Sequence, residues 1–437
     1  MENQYAPNMY CTANNYVDLH LSLRLDNEFL HNEFEKIREE TGGKERVSHK
    51  KIRKHYSMVL ANLYVAVKRS SITWVAYSRN KNDYSGKDRY NVGKFSCYYL
   101  VRVTDALKDC GMIEHMKGYY DRDVNPPRAR LSRMRATKKL RDIFETWDDS
   151  QLSHSTNTEC IILRGRDKKR VNYKQDTQQI QTMRKKLTQI NELLDKSEIS
   201  LDCLTKKTSE RGEQPDKKEG ELIAFWETYL VRVFNNSSFR QGGRFYCGWW
   251  QGIGKEVRSQ ILIDGQPTVE KDYCSLHPSM LYVRETGKLP EHDPYEIEGY
   301  EGNKLVRKIS KFLLLIMINA GVGVSIKRAF NSHVKPNGKF SLAEREEIKT
   351  MDIPEIIKKL KKRNKEIKKY FSSNEGIKLQ YQDSQIAERV MWTLAKEQIV
   401  CLPVHDSFIV QQQHEDRLVE VMREAFHWKC GAYPRID

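Results

Sequence analysis

Asp272-Tyr273-Cys274-Ser275-Leu276-His277-Pro278 closes an apolar strand that runs from Gln260-Ile261-Leu262-Ile263 through Thr268-Val269-Glu270, and it opens a helix. A second stretch, Cys401-Leu402-Pro403-Val404-His405-Asp406-Ser407-Phe408-Ile409-Val410, sets another lone carboxylate in similar surroundings. Short apolar and β-branched runs bounded by turn residues read as strands. Asp272 and Asp406 are therefore expected at strand ends, where neighbouring strands would bring them together. Either aspartate alone reads better as a cap or turn residue. What lies between them changes the reading.

From Lys304 to Asn319 there is no proline or glycine, and Leu305, Ile309, Phe312, Leu313, Ile316 and Met317 supply one apolar face. Arg307 and Lys311 stand i, i+4 and so share another face of that helix. A guanidinium fork beside an ammonium point charge suits a triphosphate. Nucleotidyl transfer needs two divalent ions, one at the attacking hydroxyl and one at the leaving pyrophosphate. Carboxylates suit Mg²⁺, a hard ion that Mn²⁺ can replace. Two strand-borne aspartates with a basic helix between them meet that requirement.

The 437 residues allow two or three domains, with hydrophobic content of 39%. The formal charge of +16 favours a polyanionic partner, because each cation that neutralises a phosphate also releases counterions. Nine scattered cysteines form no C-x-x-C pair, which fits reduced thiols in a cytoplasm. Cys274 reads as a small packing residue. No apolar run approaches membrane-spanning length, and the polar Met1-Glu2-Asn3-Gln4 is no signal peptide. No membrane partner is expected.

Four regions follow: an N-terminal segment 1–47, a small domain 48–150, a basic polar connector 151–220 and a second core 221–437. In the small domain Ser48 caps an amphipathic helix through Leu60, Leu63 and Val67, and Thr73 to Tyr77 is a strand. A helix from Ser96 stops at Gly111; a strand 112–116 turns at Lys117-Gly118 into Tyr119-Tyr120-Asp121-Arg122. Helix, strand, helix and hairpin is the layout of a winged helix, with Ser96, Tyr98, Tyr99 and Arg102 as an exposed face for DNA. A packing role for the same face stays open. The connector carries a helix over 182–194, and 206–220 reads as an exposed loop. In the basic insertion 340–372, one helix from Pro354 to Phe371 bears Lys358 and Lys362, either as a solvated face or as a wall of a duplex channel.

The order of the Asp272 motif (269–282), the Arg307-x-x-x-Lys311 helix (304–320) and the His405-Asp406 turn (400–410) resembles motifs A, B and C of the single-subunit polymerases. These are the family A DNA polymerases and phage-type RNA polymerases. Val404-His405-Asp406-Ser407-Phe408 looks like the phage-type motif C, and Gly242-Gly243-Arg244-Phe245-Tyr246 resembles an Arg-Gly-Arg-x-Tyr element of the same enzymes. Asp272 to Ser279 is similar to motif A of family B DNA polymerases. The resemblance covers roughly residues 225 to 425.

It implies an α+β fold, with a right-hand palm built on an antiparallel sheet, helical fingers and the winged helix in front. Asp272 and Asp406 would hold two Mg²⁺ ions, and Arg307 and Lys311 would bind the incoming triphosphate, with Lys311 an acid toward pyrophosphate. His405 would support the primer end, while Arg244 and Arg240 would contact phosphates and Tyr273 the nucleotide. Departures fall at the sugar: His277 replaces a glutamate or tyrosine, and Asn319-Ala320 replaces an aromatic followed by glycine. The bulk of His277 leans toward deoxynucleotides. The implied activity is a DNA polymerase or primase-polymerase of a mobile element or phage, working on a DNA template and primer in a bacterial host or phage-infected cytoplasm. A phage-type RNA polymerase is the rival. A winged-helix initiator with an inactive palm is the rival of another class.

Overall fold

The computed structural model describes residues 16–19, 23–25, 49–69, 71–84, 89–91, 93–121, 123, 128–147, 152–154, 159–201, 228–335 and 338–437. The expected cap at 48, most of the segment 1–47 and the loop 206–220 lie outside them. Within them the fold is mixed α+β, with mainly antiparallel sheets and many helices.

The first hydrophobic core gathers residues from Leu23 to Trp147. Its elements are β1 (Tyr16–Asp18), β2 (Leu23–Leu25), α1 (His49–Arg69), β3 (Trp74–Tyr77), α2 (Cys97–Asp109), β4 (Ile113–Met116), β5 (Tyr119–Asp121), β6 (Arg128–Arg130), β7 (Ser132–Ala136), α3 (Lys138–Phe144) and β8 (Leu152–His154). One sheet runs in the order β1, β3, β7, β4. The amphipathic α1 of the sequence reading is instead buried all round from His55 to Ala66. Its polar members are satisfied there: His55 Nδ1 contacts the Lys51 carbonyl, and Asn62 donates to that of Met58.

Nor does the chain turn back at Lys117-Gly118. β4 pairs with β7 and β5 with β6 in one unbroken register (Met116 opposite Arg133, Tyr119 opposite Arg130), making a single long ribbon. Gly118 lets the ribbon pass, since a Cβ there would lie 2.5 Å from the Arg130 carbonyl oxygen. Ser96 proves to be the N-cap of α2, accepting from the Tyr99 N–H, rather than part of a free face.

The second core runs from Cys160 to Phe426. It starts with β9 (Ile161–Leu163), α4 (Gln178–Lys196) and β10 (Ile199–Leu201), so most of the described part of the supposed connector belongs to it. Ile180, Met183, Leu187, Ile190 and Leu194 make a regular apolar stripe on α4 beneath its polar face. Then come β11 (Val231–Asn235), β12 (Ser238–Tyr246), α5 (Lys255–Arg258), β13 (Ile261–Ile263), β14 (Gln266–Asp272), α6 (Leu276–Thr286) and α7 (Lys304–Asn319). The chain continues through α8 (Ile326–Asn331), α9 (Leu342–Thr350), α10 (Ile353–Arg363), α11 (Gly376–Lys396), β15 (Leu402–Val404), β16 (Ser407–Gln411) and α12 (Glu415–Cys430). A five-stranded antiparallel sheet has the order β10, β13, β14, β16, β15, and β9, β11 and β12 form a three-stranded one. No described helix is long and apolar enough to cross a membrane.

The single helix expected over 354–371 is broken at Asn364, after which the chain continues as a 3-10 turn. Asn364 is fully buried, donates to the carbonyls of Pro294 and Leu360, and accepts from the Tyr282 hydroxyl. The lysines of α10 stay outside while Ile353, Ile356 and Leu360 face in. Replacing Asn364 by Ala takes the donor from the Pro294 carbonyl and removes one of the partners of the Tyr282 hydroxyl. Urea denaturation is expected to show a loss of about 1–3 kcal/mol.

Candidate functional site

The antiparallel register of β14 on β16 decides the geometry. Thr268 lies opposite Gln411 and the ladder runs down to Asp272 opposite Ser407. β15 and β16 form a tight hairpin in which Val404 pairs with Ser407, so His405 and Asp406 alone make its loop. Asp406 therefore stands beside the end of β14, where the Tyr273 N–H points to its carbonyl at 3.4 Å.

Two non-glycine residues flank the pair in the left-handed region, Ser275 (φ 52°) and His405 (φ 61°). Each marks a point where the chain leaves the sheet at once. Such conformations cost energy and cluster where function dictates the turn.

The electrostatics single out Asp272. Burial first, then the like charge of Asp406, push its carboxyl up to about 7, against a counter-pull from Lys311. Its Oδ1 is shut from solvent and, among the described residues, without a hydrogen-bond partner. Glu270, two residues earlier on the same strand face, is handled differently. Burial opposes its charge, but Arg258, bonded through two contacts at 2.9 Å, and Ser407, at 2.7 Å, hold its carboxyl below the usual range.

A second cluster centres on Asp383, a buried residue of α11. It receives Arg244 Nε at 3.0 Å and lies 2.7 Å from His277 Nε2. Burial alone would raise its carboxyl; Arg244 and then His277 bring it below the ordinary range. His405 keeps much of its surface exposed at its hairpin tip, yet the protein crowded around its imidazole, and then Arg244, hold it toward the neutral form. The edge of Tyr246 faces its ring, with centroids 6.2 Å apart.

The expected residues thus divide. Asp272, Asp406 and Lys311 share one electrostatic neighbourhood; Arg244 and His405 both feel Asp406, and Asp383 joins Arg244 to His277. Arg244 is not free for a phosphate, because the Asp383 ion pair takes it up. Arg307 is half-exposed but paired with Asp293 at 2.6 Å and set over the Tyr295 ring. Tyr273 is a core residue and not a surface for nucleotide: it is 3% exposed, donates to the Met422 carbonyl and packs on Phe408 and Phe426.

Asn319 ends α7 and donates to the Leu315 carbonyl, with Gly376 packed against its amide. Arg240 is exposed near the β11–β12 turn and, among the described residues, contacts neither aspartate. Lys358 and Lys362 pair with Glu355 and Glu298, at 3.5 and 3.0 Å. Tyr98 is 59% exposed with Arg102 over its ring, whereas Tyr99 leans on His55. The exposed Tyr119 and Tyr120 of the ribbon add aromatic surface to the same region of the fold.

Sequence reasoning missed Asp383, Asp293, Tyr295 and Glu270. Only Glu270 carried a readable signal, through its two-residue offset from Asp272.

No protein-family model matches the chain, and no curated protein matches it in sequence. Among solved structures, the POL domain of Pol1 from M. smegmatis, in complex with DNA primer-template and dNTP, is 13% identical over 47% of this chain and 46% of that one, with a TM-score of 0.30. The chain spans less than half the length of that domain's chain, and a likeness at this level carries no argument about the site.

The raised carboxyl of Asp272 has a stability consequence. Its unfolded value is near 3.8 and its folded value about 7, so the unfolded state loses the proton first and stability falls as pH climbs between them. Asp272→Asn removes that penalty. In buffer free of divalent ions the variant should melt above the wild type at pH 8, and the gap should close toward pH 4. Asp406→Asn should lower the Asp272 titration midpoint seen by carbonyl-carbon NMR.

Proposed function

We propose that this chain is a template-directed nucleotidyltransferase that adds deoxynucleotides to a 3′-hydroxyl on a DNA template, with Asp272 and Asp406 as its metal-binding pair. The observation that carries this reading is the convergence of the two carboxylates at one sheet end, one of them with an oxygen shut from solvent and, among the described residues, without a hydrogen-bond partner, opposed by the other and within the field of Lys311.

A pair of hard divalent cations such as Mg²⁺ fits these residues. A buried carboxylate oxygen without a donor is costly unless a cation or hydrogen bond answers it. Among the described residues no group of three or more His, Cys, Asp or Glu is placed to hold a metal. That suits Mg²⁺, which commonly takes one or two carboxylates and completes its shell with phosphate oxygens and water. Held by Asp272 and Asp406, such ions would supply activation of a 3′-hydroxyl and neutralisation of charge on pyrophosphate.

The chain's own groups supply the rest. Lys311, whose charge is felt at Asp272, would donate from Nζ to the leaving pyrophosphate. Arg307 exchanges Asp293 for a phosphate, its position over Tyr295 keeping the guanidinium on the same side of α7 as Lys311. His405, held neutral, presents a ring nitrogen to the primer end. His277, fixed by Asp383 and flanked by Arg244, stands where the sugar would lie and works against a 2′-hydroxyl. The segment from α2 through the ribbon would serve as a winged helix on duplex DNA, with Tyr98, Arg102, Tyr119 and Tyr120 as its contact face.

Primer extension with labelled dNTPs and NTPs, on primed and unprimed DNA, tests the proposal. The wild type should extend primed DNA with dNTPs, and Asp272→Ala or Asp406→Ala should each lower the rate at least about a thousandfold while DNA binding persists. Synthesis that survives the double variant sinks the assignment. Unprimed incorporation of NTPs points to the RNA polymerase rival, and DNA binding without any synthesis points to the initiator. Independently of activity, millimolar Mg²⁺ should raise the melting midpoint of the wild type and leave that of the double variant unmoved.

A further inference from the structure

On the far side of α11 from Asp383 lies a groove of about 540 Å³, walled by α4 and closed by Trp428 of α12. Along α11 the residues Tyr381, Gln385, Arg389, Trp392 and Lys396 recur every three or four positions, so one stripe of that helix lines it. We propose that this groove binds single-stranded nucleic acid, DNA or RNA, at a site separate from the Asp272–Asp406 pair.

Charge is the first support. Four cations line the groove (Lys186, Arg232, Arg389 and Lys396) against one carboxylate, Glu388. Glu388 is already engaged by Arg232 and, at 2.7 Å, by Lys186. Arg232 is buried and spends its remaining donors on the Gly243 carbonyl and on Ser384. The surplus falls on Arg389 and Lys396, both exposed and, among the described residues, in no ion pair with a carboxylate. A polyanion is the ligand this surplus suits.

Aromatic surface is the second support. Trp428 is 51% exposed and Trp392 half-buried, and both border the groove. The Arg389 guanidinium stands 4.9 Å from the Trp428 ring centroid, an aromatic and a cation in one patch. Bases stack on such rings irrespective of sequence while cations follow the backbone, the usual means of gripping a single strand. Gln178, Gln179 and Gln385 add amide edges for bases or sugars. An acidic peptide would use the cations but leave the two indole faces idle.

Fluorescence anisotropy of labelled oligo(dT) and oligo(rU) with the full chain tests the site. Trp428→Ala should weaken binding about tenfold, the loss of one stacked base. Trp428→Phe should keep most of it, and Arg389→Gln should flatten the salt dependence. The series is run on the wild type and on the Asp272→Ala/Asp406→Ala chain. The groove variants should lose oligonucleotide in both backgrounds, so failure here is distinct from failure of the nucleotidyl-transfer reading. A 4-thiothymidine oligomer should crosslink to peptides holding Trp392 or Trp428. Should Trp428→Ala fall in melting midpoint, the surface variant Arg389→Gln decides. Unchanged binding by that variant, crosslinks confined to other parts of the chain, or displacement of the oligomer by polyglutamate at equal charge would each overturn the proposal. Binding of only dT or only rU assigns the sugar and leaves the site standing.

Discussion

The candidate site depends on the pairing of β14 with β16. Side chains on a strand alternate in facing, so a slip of one residue would turn Asp272 to the opposite face and put Asp406 out of reach. Phe408, Ile409 and Val410 are all buried, which makes any other register expensive. The Ser407 hydroxyl on Glu270 ties the two strands at the level of the aspartates. Trp250 Nε1 and Gln251, both donating to the Pro403 carbonyl, fasten β15 from outside. Two aspartates far apart in the chain thus become neighbours through the packing of apolar side chains that never touch them.

Around that pair, three carboxylates of the second core are matched by arginines. Arg232 answers Glu388, Arg244 answers Asp383 and Arg258 answers Glu270, so each of these three carboxylates meets its opposite. Breaking such a pair leaves an uncompensated charge at about 3–5 kcal/mol, far more than a surface ion pair contributes. Asp272 has the like charge of Asp406 beside it, and the pull of Lys311 does not outweigh burial and that charge.

Local patterns in the sequence foretold the elements that carry the pair. Apolar strand runs ending in Asp272 and preceding Asp406, and an uninterrupted helix over 304–319, are signals that the backbone itself must obey. Tertiary preference was not visible. Tyr273 reads as a residue next to an active aspartate, yet alternation on the strand sends its ring into the core. The many lysines and glutamines of 178–196 hid an apolar stripe that a period count reveals. Asp383 sits mid-helix among polar residues, and nothing local marks it as the partner of an arginine on another strand. The break at Asn364 answers a contact with Pro294 and Tyr282 that no window of neighbouring residues contains.

Arg232 bonds to a strand carbonyl, to a helix hydroxyl and to a helix carboxylate at once, all out of water. It acts as a rivet between β11, the β12 backbone and α11, whose two sides face different recesses of the molecule. Riveted in this way, α11 behaves as a stiff spar, and sliding along its length is ruled out while those bonds hold. Whatever motion accompanies ligand capture must then fall to pieces held more lightly. The half-exposed clasp of Arg307 on Asp293 is such a piece, because water can replace it at little cost.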